Sequence, residues 1–405
     1  MNIVIITHIL PYPLYHGGAQ AQYNMIDQLR HNHHITLIFS EGSVNKLQAM
    51  KQLQALWPEV NIVVYRYYRQ LRCWRFVRDK IKRGLLVKFA PKSRMLKIDR
   101  MLKPYGQWFS SDQVRFINRI IREAKADLIQ VEFFPCLGWC KYLPDDVKKI
   151  FVHHEINFIR NDRFLQDFHL SAKEEEAKQR MKQEEIDCLN HYDHIITLTD
   201  TDKKILQEHH VTSPVSVSPA AVSSSPLPYC EWKGRVVFIG GHTHIPNKEG
   251  IDWFVSQVVP NLNSHIQVDL IGAGWPLEYV IQHEHCQIRL TGFVDNLTAA
   301  IYGNIMIVPI LTGSGMRMKI IEAMAMSMPI VTTTVGVEGI PLVHEESCLI
   351  ADSPIAFAQA IERLCSDASL RSKLGNAANH VFMEGYTPQQ LAKVRDSIYQ
   401  HLVRA

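Results

Sequence analysis

The residue types most suited to chemistry lie in one stretch of this sequence, residues 305–340. An apolar run at 305–310 is typical of a buried parallel strand, and a Gly-Ser-Gly turn follows at 313–315. A helix-forming run comes next, and Arg317 and Lys319 lie at its start. The start of a helix presents unpaired backbone N–H groups and the positive end of the helix dipole. The stretch therefore predicts a site for a phosphate or a diphosphate.

Glu322 extends this predicted site beyond the phosphate. It lies one helical turn after Lys319, so its carboxylate can accept hydrogen bonds from the hydroxyls of a sugar attached to that phosphate. A second apolar strand at 329–333 and a glycine turn at 336–339 complete the unit. The expected ligand is therefore an anionic compound that carries both a phosphate and a sugar.

A second polar cluster follows the apolar strand predicted at 149–153. Ligands of open α/β sheets bind at the carboxyl ends of the strands, where this cluster lies. Its members are His153, His154, Glu155, Arg160 and Arg163. A histidine at this place is either a hydrogen-bonded structural residue or part of the site, and its position at the strand end favours a site role for His154.

Three short patterns could bind a metal ion, but each has a simpler interpretation. They are Asp200-Thr201-Asp202, His242-x-His244 and His283-x-His285. The first lies at a predicted strand-to-helix junction, so Asp200 or Thr201 is expected to cap the helix. The two histidine pairs have no carboxylate or cysteine at a fixed spacing, so they are interpreted as loop histidines. The sequence therefore predicts no metal and no bound cofactor.

The elements that position these residues alternate between strands and helices. Residues 2–7 predict a buried strand, Gly17 and Gly18 a turn before a helix, and residues 33–40 a second strand. Paired glycines allow the backbone to approach a ligand closely. The G-x-G-x-x-G spacing of dinucleotide-binding turns is absent, which argues against a nicotinamide enzyme.

Residues 213–228 are dense in Pro and Ser, and they predict a linker or crossover between two domains. A second α/β series begins after this segment. The predicted fold class is therefore α/β, with two tandem Rossmann-like domains at 1–214 and 215–385 that face one another across a cleft. A C-terminal helix at 386–405 can pack back on the first domain.

Composition excludes several classes of protein. The chain has 405 residues, of which 46% are hydrophobic and 21% charged, as expected for a globular protein of two domains. Its apolar start lacks a basic leader and is shorter than the ~20 residues needed to span a bilayer. Eight scattered cysteines favour a reducing, cytoplasmic location.

The strongest local charge lies in a predicted insertion at 66–106. Between residues 66 and 103, fourteen Lys or Arg face two Asp, a net charge of +12. Five of the arginines recur every three residues among aromatic and aliphatic side chains: Arg66, Arg69, Arg72, Arg75 and Arg78. This pattern suits an anionic membrane surface or a lipid-linked substrate, which would place the protein peripherally on the inner face of a membrane. A solvated insertion is nearly as well supported, and nucleic acid binding is the least favoured alternative.

Several segments resemble the glycosyltransferases of the GT-B fold, specifically the large retaining family 4 type. They are GGAQAQYNMIDQLRHNHHITLI, VFIGGHTHIPNKEGIDWF, LIGAGWP, IRLTGFVDN and VPILTGSGMRMKIIEAMAMSMPIVTTTVGVEGI. The resemblance covers nearly the whole chain and is strongest in its second half. It implies that a nucleotide sugar binds mainly to the second domain and a glycan or lipid-linked acceptor mainly to the first.

The resemblance also implies roles for individual residues of the 305–340 stretch. Glu322 resembles the second glutamate of the family's paired-glutamate motif, which holds the donor ribose. The first glutamate would fall at Ser314, where this sequence departs from the family. The remaining groups are implied to hold the diphosphate: the backbone amides of Ser314, Gly315 and Met316, and the side chains of Arg317 and Lys319.

Other positions match residues that surround the donor in the family. Two glycine loops are implied to approach the diphosphate, a basic pair to neutralise it, a histidine to lie beside the reacting sugar, and two residues to flank the base. The glycines are Gly17 and Gly18 in one loop and Gly241 in the other. The basic pair is His242 and Lys248, and the histidine is His154. The two residues implied to flank the base are Phe293 and Val294. The basic pair is a departure, since the family has Arg and Lys there.

The predicted function is transfer of a sugar from a nucleotide sugar to a glycan or lipid-linked acceptor in cell-surface polysaccharide or lipopolysaccharide synthesis, without a metal and with retention of configuration. One alternative is a GT-B sugar-nucleotide epimerase, which would need paired carboxylates and has Glu155 as its evident candidate. The other is a catalytically silent binding protein, suggested by the missing glutamate at Ser314.

Flotation with liposomes tests the membrane interpretation of the basic stretch. We expect the protein to float with vesicles that contain anionic lipid at low salt and to dissociate at high salt, because exposed charges are screened there. Vesicles of neutral lipid are the control. Binding that does not depend on lipid charge or salt would contradict this interpretation.

Overall fold

The computed structural model describes residues 1–14, 17–41, 46–66, 98, 102, 109–166, 168–220, 222, 225–313 and 315–404. Most of the predicted basic insertion at 66–106 lies outside these residues, and so does Ser314. The interpretations placed on them stay predictions.

The chain divides into two compact units. Unit 1 comprises residues 1–13, 26–218 and 394–405, and unit 2 comprises residues 14–25 and 219–393. The final helix thus contributes its last residues to unit 1, and the segment that carries Gly17 and Gly18 belongs to unit 2.

The described part of the chain alternates strands and helices. The strands are β1 (Asn2–Thr7), β2 (His34–Glu41), β3 (Asn61–Arg66), β4 (Leu128–Glu132), β5 (Lys148–His153), β6 (His194–Thr197), β7 (Val215–Val217), β8 (Val236–Ile239), β9 (Ile266–Ile271), β10 (Ile281–His283), β11 (Cys286–Gly292), β12 (Ile305–Val308), β13 (Ile330–Thr332) and β14 (Leu349–Ile350). The α-helices are α1 (Gly17–Leu29), α2 (Lys46–Leu56), α3 (Ser111–Glu123), α4 (Asn157–Leu165), α5 (Ala172–Leu189), α6 (Asp200–Glu208), α7 (Ile245–Trp253), α8 (Leu297–Ile301), α9 (Met318–Ala325), α10 (Thr334–Val337), α11 (Pro354–Ser366), α12 (Ala368–Gly385) and α13 (Pro388–Arg404).

Each unit is built on one seven-stranded sheet. In unit 1 the order is β3-β2-β1-β4-β5-β6-β7, and every pair is parallel. In unit 2 the order is β10-β11-β9-β8-β12-β13-β14, and among its pairs β10 and β11 are antiparallel. Strands β8 and β12, at the centre of the second sheet, are continuous apolar runs, as expected where helices cover both faces of a sheet. These two sheets confirm the predicted α/β class.

Several elements differ from the sequence prediction. Strand β3 and helix α12 were not anticipated, and β7 lies inside the predicted linker. Helix α12 has little apolar periodicity and contains Gly375, which lowers helix propensity. That glycine allows the helix to approach the backbone of Ser327, since a Cβ there would lie 2.2 Å from the Ser327 carbonyl oxygen. The local sequence pattern therefore does not indicate helix α12, and its packing against Ser327 helps to specify it.

The charged run at 171–189 forms helix α5, and Ser171 and Glu174 make a capping box at its start. A charged run of this kind is usually a solvated helix face, but the end of α5 is buried. Glu185 is 0% exposed, and Ile186 and Leu189 are also buried. The many charged residues of this run obscure, at the level of sequence, that one face of α5 packs into the core of unit 1.

Helix α7 approaches the end of strand β12 at Gly250. A Cβ at this residue would lie 2.1 Å from the carbonyl oxygen of Pro309, so only glycine fits. Helix α7 begins at Ile245 and is followed by a π-helical turn, Phe254–Val258. The close contact places the start of α7 beside the loop that follows β12.

We expect Gly250→Ala to lower the free energy of unfolding by about 3 kcal/mol, because the added methyl group would force apart α7 and the backbone at Pro309. Urea unfolding of the two proteins measures the change. Gly385→Ala at the end of α12 is the matched control, since a Cβ there meets nothing within 4 Å. Equal unfolding midpoints for the two variants would contradict the close packing.

Candidate functional site

The loop between β12 and α9 in unit 2 carries the predicted anion site. Gly313 has φ 105° and Gly315 has φ 79°, conformations that favour glycine. Arg317 is the residue before the first turn of α9. Its guanidinium donates to the carbonyl oxygens of Gly315 and Val335, and the residue is 9% exposed. Arg317 therefore ties the loop to the segment after β13, and its part in neutralising a ligand stays a prediction.

Lys319 lies in the first turn of α9, where three elements of unit 2 meet. Its Nζ lies 3.9 Å from the centroid of the Phe238 ring, on strand β8. It donates a hydrogen bond of 2.8 Å to the Oδ1 of Asn247, on helix α7. Desolvation, together with the charge of Arg317, lowers the pKa of Lys319 well below its ordinary value. The ammonium group is thus oriented by two neutral partners, Phe238 and Asn247. A bound anion would stabilise its charged form.

Asn247 was not predicted as a site residue, yet it joins the two loops of the site. Its Nδ2 donates to the carbonyl oxygen of Gly241, 3.1 Å away, while its Oδ1 accepts from Lys319. A Cβ on Gly240 would lie 2.4 Å from that Nδ2, so the glycine is needed for the contact. The sequence signal is slight, since an asparagine near a glycine loop is usually a turn residue.

His242 and Lys248, the predicted basic pair, have different surroundings. The His242 ring packs edge-on against Trp275 and Tyr279, with centroids 5.2 and 5.6 Å away, and its buried Nε2 has no hydrogen-bond partner among the described residues. The ammonium group of Lys248 pairs with Asp252, one turn along α7. An orphaned buried nitrogen is a candidate ligand contact. His242 therefore remains the stronger member of the predicted pair.

The remaining predicted donor residues lie in unit 2 as follows. Glu322 is 2% exposed on α9, and Phe293 is 47% exposed after Gly292, which has φ 74°. Val294 follows Phe293 and is half-buried, as is Met316 in the loop before α9. Gly17 begins α1 and is followed by Gly18; a Cβ on Gly17 would lie 3.2 Å from the Cγ of Met318. The Gly17 backbone is thus packed against the first residue of α9. The ligand roles of these residues stay predictions.

In unit 1 the predicted polar cluster separates into distinct pairs. His154 Nε2 lies 3.0 Å from Oε2 of Glu132, and His153 Nε2 lies 3.0 Å from Oε1 of Glu185. Glu155 accepts from Arg160 at 3.0 Å. Neither Glu132 nor Glu185 was predicted as a site residue; Glu132 is the last residue of strand β4. His153 is therefore a hydrogen-bonded structural residue, and His154 is the partly exposed member of the cluster.

The Asp200-Thr201-Asp202 segment lies at a strand-to-helix junction, as predicted, but the prediction that Asp200 or Thr201 caps helix α6 is wrong, because the cap residue is Thr199. Thr199 Oγ1 accepts from the Asp202 backbone N–H at 3.0 Å and donates to its carboxylate at 2.8 Å. Across the described ranges no three His, Cys, Asp or Glu side chains form a group that could hold a metal ion. Within the same ranges no helix is both long enough and apolar enough to cross a membrane.

Comparison with known proteins indicates the family. Residues 233–367 match the family model described as glycosyl transferases group 1. An uncharacterised 44.6 kDa protein in the cps region of Klebsiella pneumoniae is 29% identical over 178 residues, which are 41% of this chain and 45% of that protein. The chain thus matches about half the length of this curated relative.

Solved structures resemble the whole chain. Sucrose-phosphate synthase from Thermosynechococcus elongatus superposes with a TM-score of 0.71 at 15% identity, with 100% of both chains covered. Anabaena HepE in complex with UDP gives 0.64 at 11% identity, covering 99% of this chain and 100% of that chain. The lipopolysaccharide outer core galactosyltransferase WaaB gives 0.61 at 12%, with 99% and 100% covered.

These matches confirm the predicted GT-B fold, and the family match of residues 233–367 supports a transferase. The identities between this chain and the solved structures are too low to carry a substrate from one protein to another. Residues 233–367 are therefore similar to the group 1 glycosyl transferases, in a chain that has the GT-B fold.

Proposed function

We propose that the protein transfers a sugar from a nucleotide sugar to a glycan or lipid-linked acceptor in cell-surface polysaccharide or lipopolysaccharide synthesis, with retention of configuration. The observation that carries the proposal is the position of Lys319. Its ammonium group lies at the start of α9 and is held by Phe238 and Asn247, between the two glycine loops of unit 2. This is the place where a donor diphosphate would need a positive charge.

The chemistry of sugar transfer makes that charge important. When the nucleoside diphosphate leaves, negative charge builds up on the leaving oxygen and positive charge on the sugar ring. Groups that are already oriented toward the developing charge lower the barrier most. Lys319 and the N–H groups at the start of α9 meet this requirement, and the orphaned Nε2 of His242 offers a further contact.

Lys319 is also suited to a ligand with high negative charge. Because desolvation lowers its pKa, part of the free protein holds Lys319 neutral at alkaline pH. A bound diphosphate raises this pKa again by direct attraction. Donor binding should therefore be coupled to proton uptake, a property that a site for a neutral sugar would lack.

The relatives support the substrate class. HepE was solved with UDP, WaaB is a lipopolysaccharide outer core galactosyltransferase, and the Klebsiella relative is encoded in a cps region. We infer a nucleotide-sugar donor and a surface-glycan acceptor for this chain by analogy. The epimerase alternative is less well supported, because Glu155, its candidate carboxylate, is engaged by Arg160.

A panel of nucleotide sugars tests the proposed activity. We expect wild-type protein to release the nucleoside diphosphate from at least one of them, and Lys319→Met to lower kcat/KM by about 100-fold, since loss of one oriented charge-stabilising group costs about 3 kcal/mol. Glu322→Gln should raise the donor KM. Lys373→Met is the matched control, because Lys373 is an exposed cation on α12 that donates to the carbonyl oxygen of Glu345.

The panel also separates the alternatives. A change of sugar configuration without release of nucleoside diphosphate would identify an epimerase. Binding of a nucleotide sugar without any turnover, in the presence of lipid-linked and glycan acceptors, would identify a silent binding protein. Equal loss of activity in Lys319→Met and Lys373→Met would contradict the role given to Lys319.

Calorimetry with UDP tests the proton uptake. We expect uptake at alkaline pH, where the phosphates are already fully ionised and the ordinary pKa of a lysine has not been reached, because binding raises the lowered pKa of Lys319. The binding enthalpy should then vary with the ionisation enthalpy of the buffer, and affinity should fall as pH rises through this window. Lys319→Met should show neither effect. The same uptake in wild type and variant would assign it to another group.

A further inference from the structure

Glu132 is a buried carboxylate at the carboxyl end of β4 for which the proposed chemistry has no direct use. It is 3% exposed. Its Oε2 lies 3.0 Å from the Nε2 of His154, and its Oε1 accepts a hydrogen bond from the Nε2 of Gln130. Both carboxylate oxygens therefore have a hydrogen-bond partner. One of these partners is His154, the histidine predicted to lie beside the reacting sugar.

The charge state of Glu132 decides which way this hydrogen bond runs. Burial disfavours its charge, but the hydrogen bond and charge of His154, the charge of Arg395 and the Gln130 donor together lower the pKa of Glu132. An ionised carboxylate only accepts hydrogen bonds. His154 must therefore carry a proton on Nε2, which leaves Nδ1 for another partner.

A chain of buried hydrogen bonds continues from Glu132 into the C-terminal helix α13. The Tyr399 hydroxyl donates to Oε1 of Gln130, which orients the amide so that its nitrogen faces Glu132. Burial raises the pKa of Tyr399 to about 12, so the hydroxyl keeps its proton. Arg395 is 2% exposed, and its Nε donates to Ser218 Oγ at 3.0 Å. These residues all belong to unit 1.

The ring of Phe133 packs against one face of the His154 imidazole. Its ring is stacked on the His154 ring, with centroids 3.9 Å apart and an angle of 11° between the planes. The residue has φ 65°, which is strained for a non-glycine residue and is found most often at functional sites. The ring of His8 packs edge-on against Phe133. Stacking and the Glu132 bond together leave the His154 ring one orientation.

We propose that Glu132 is a positioning residue for sugar transfer: it holds the Nε2 of His154 so that Nδ1 is left to contact a substrate, and Tyr399 acts through Gln130 to hold Glu132. The C-terminal helix is then part of the support of the site. This inference rests on the proposed function, because sugar transfer is what gives His154 its task.

The neighbouring pair shows what a purely structural arrangement looks like. Glu185 accepts from His153 Nε2 at 3.0 Å and from the backbone N–H groups of Asn157 and Phe158 at 3.1 and 3.0 Å. The His153 side chain is 1% exposed, against 13% for His154. The buried pair therefore holds the start of α4 and is the matched control for the pair that reaches solvent.

Nitrogen-15 NMR of the wild-type imidazoles tests the pairing without any assay of activity. The His154 signals are identified by their loss in His154→Gln. We expect neutral His154 in wild type to carry its proton on Nε2, and Glu132→Gln to shift part of the population to the Nδ1 form, because an amide can donate to Nε2. A wild-type His154 protonated on Nδ1 alone would overturn the proposal.

A double-mutant cycle tests the effect on transfer, with the nucleotide sugar that wild-type protein consumes. We expect Glu132→Gln to lower kcat/KM by about 10- to 100-fold, as is typical when the partner that orients a functional histidine is lost. Tyr399→Phe should lower it by about 3- to 10-fold, the worth of one hydrogen bond. In a His154→Gln background, Glu132→Gln should cause no further loss.

Glu185→Gln is the control, expected to lower the unfolding temperature and to leave kcat/KM within about twofold, the noise of independent sites. Additive losses in the cycle, or unchanged activity in Glu132→Gln, would overturn the positioning role. If wild-type protein consumes no nucleotide sugar, the proposed function fails. The NMR result then decides separately whether Glu132 sets the state of His154.

Discussion

The arrangement of elements around the start of α9 depends on how the ammonium group of Lys319 is held. Among the described residues, its direct partners are an aromatic ring and an amide oxygen, and neither carries a charge. The ring of Phe238 lies beneath it and the Asn247 carbonyl oxygen accepts from it, so three elements must meet at one point. A cation in such surroundings is costly unless a ligand supplies the negative charge. A diphosphate bound beside Lys319 is therefore expected to stabilise the folded protein.

Glycines make this meeting of elements possible. Gly250 lets helix α7 approach the end of β12, and Gly240 leaves room for the side chain of Asn247. A methyl group at either position would push α7 away from the loop that it supports. The tight packing around these two glycines thus supports the predicted ligand site.

Both units use the same property of parallel sheets. Strand carboxyl ends share one edge, so residues far apart in sequence, such as Glu132 and His154, come within hydrogen-bonding distance. In unit 1 this edge carries an ordered network of neutral and ionised side chains, supported by the buried Tyr399. In unit 2 it carries glycine loops and the start of α9. The sheet of unit 1 therefore presents oriented side chains at this edge. The sheet of unit 2 presents backbone N–H groups and the charged side chain of Lys319.

The sequence by itself determined the fold class, the glycine loops and the stretch that is predicted to bind phosphate, because apolar strands, glycine turns and helix starts are local patterns. It did not reveal Asn247, Glu132 or the burial of Glu185. Each of these is polar and has its partner in another element, so its role depends on contacts over tens of residues that no local pattern records. Only the tertiary structure could decide which of the many histidines and acids are paired.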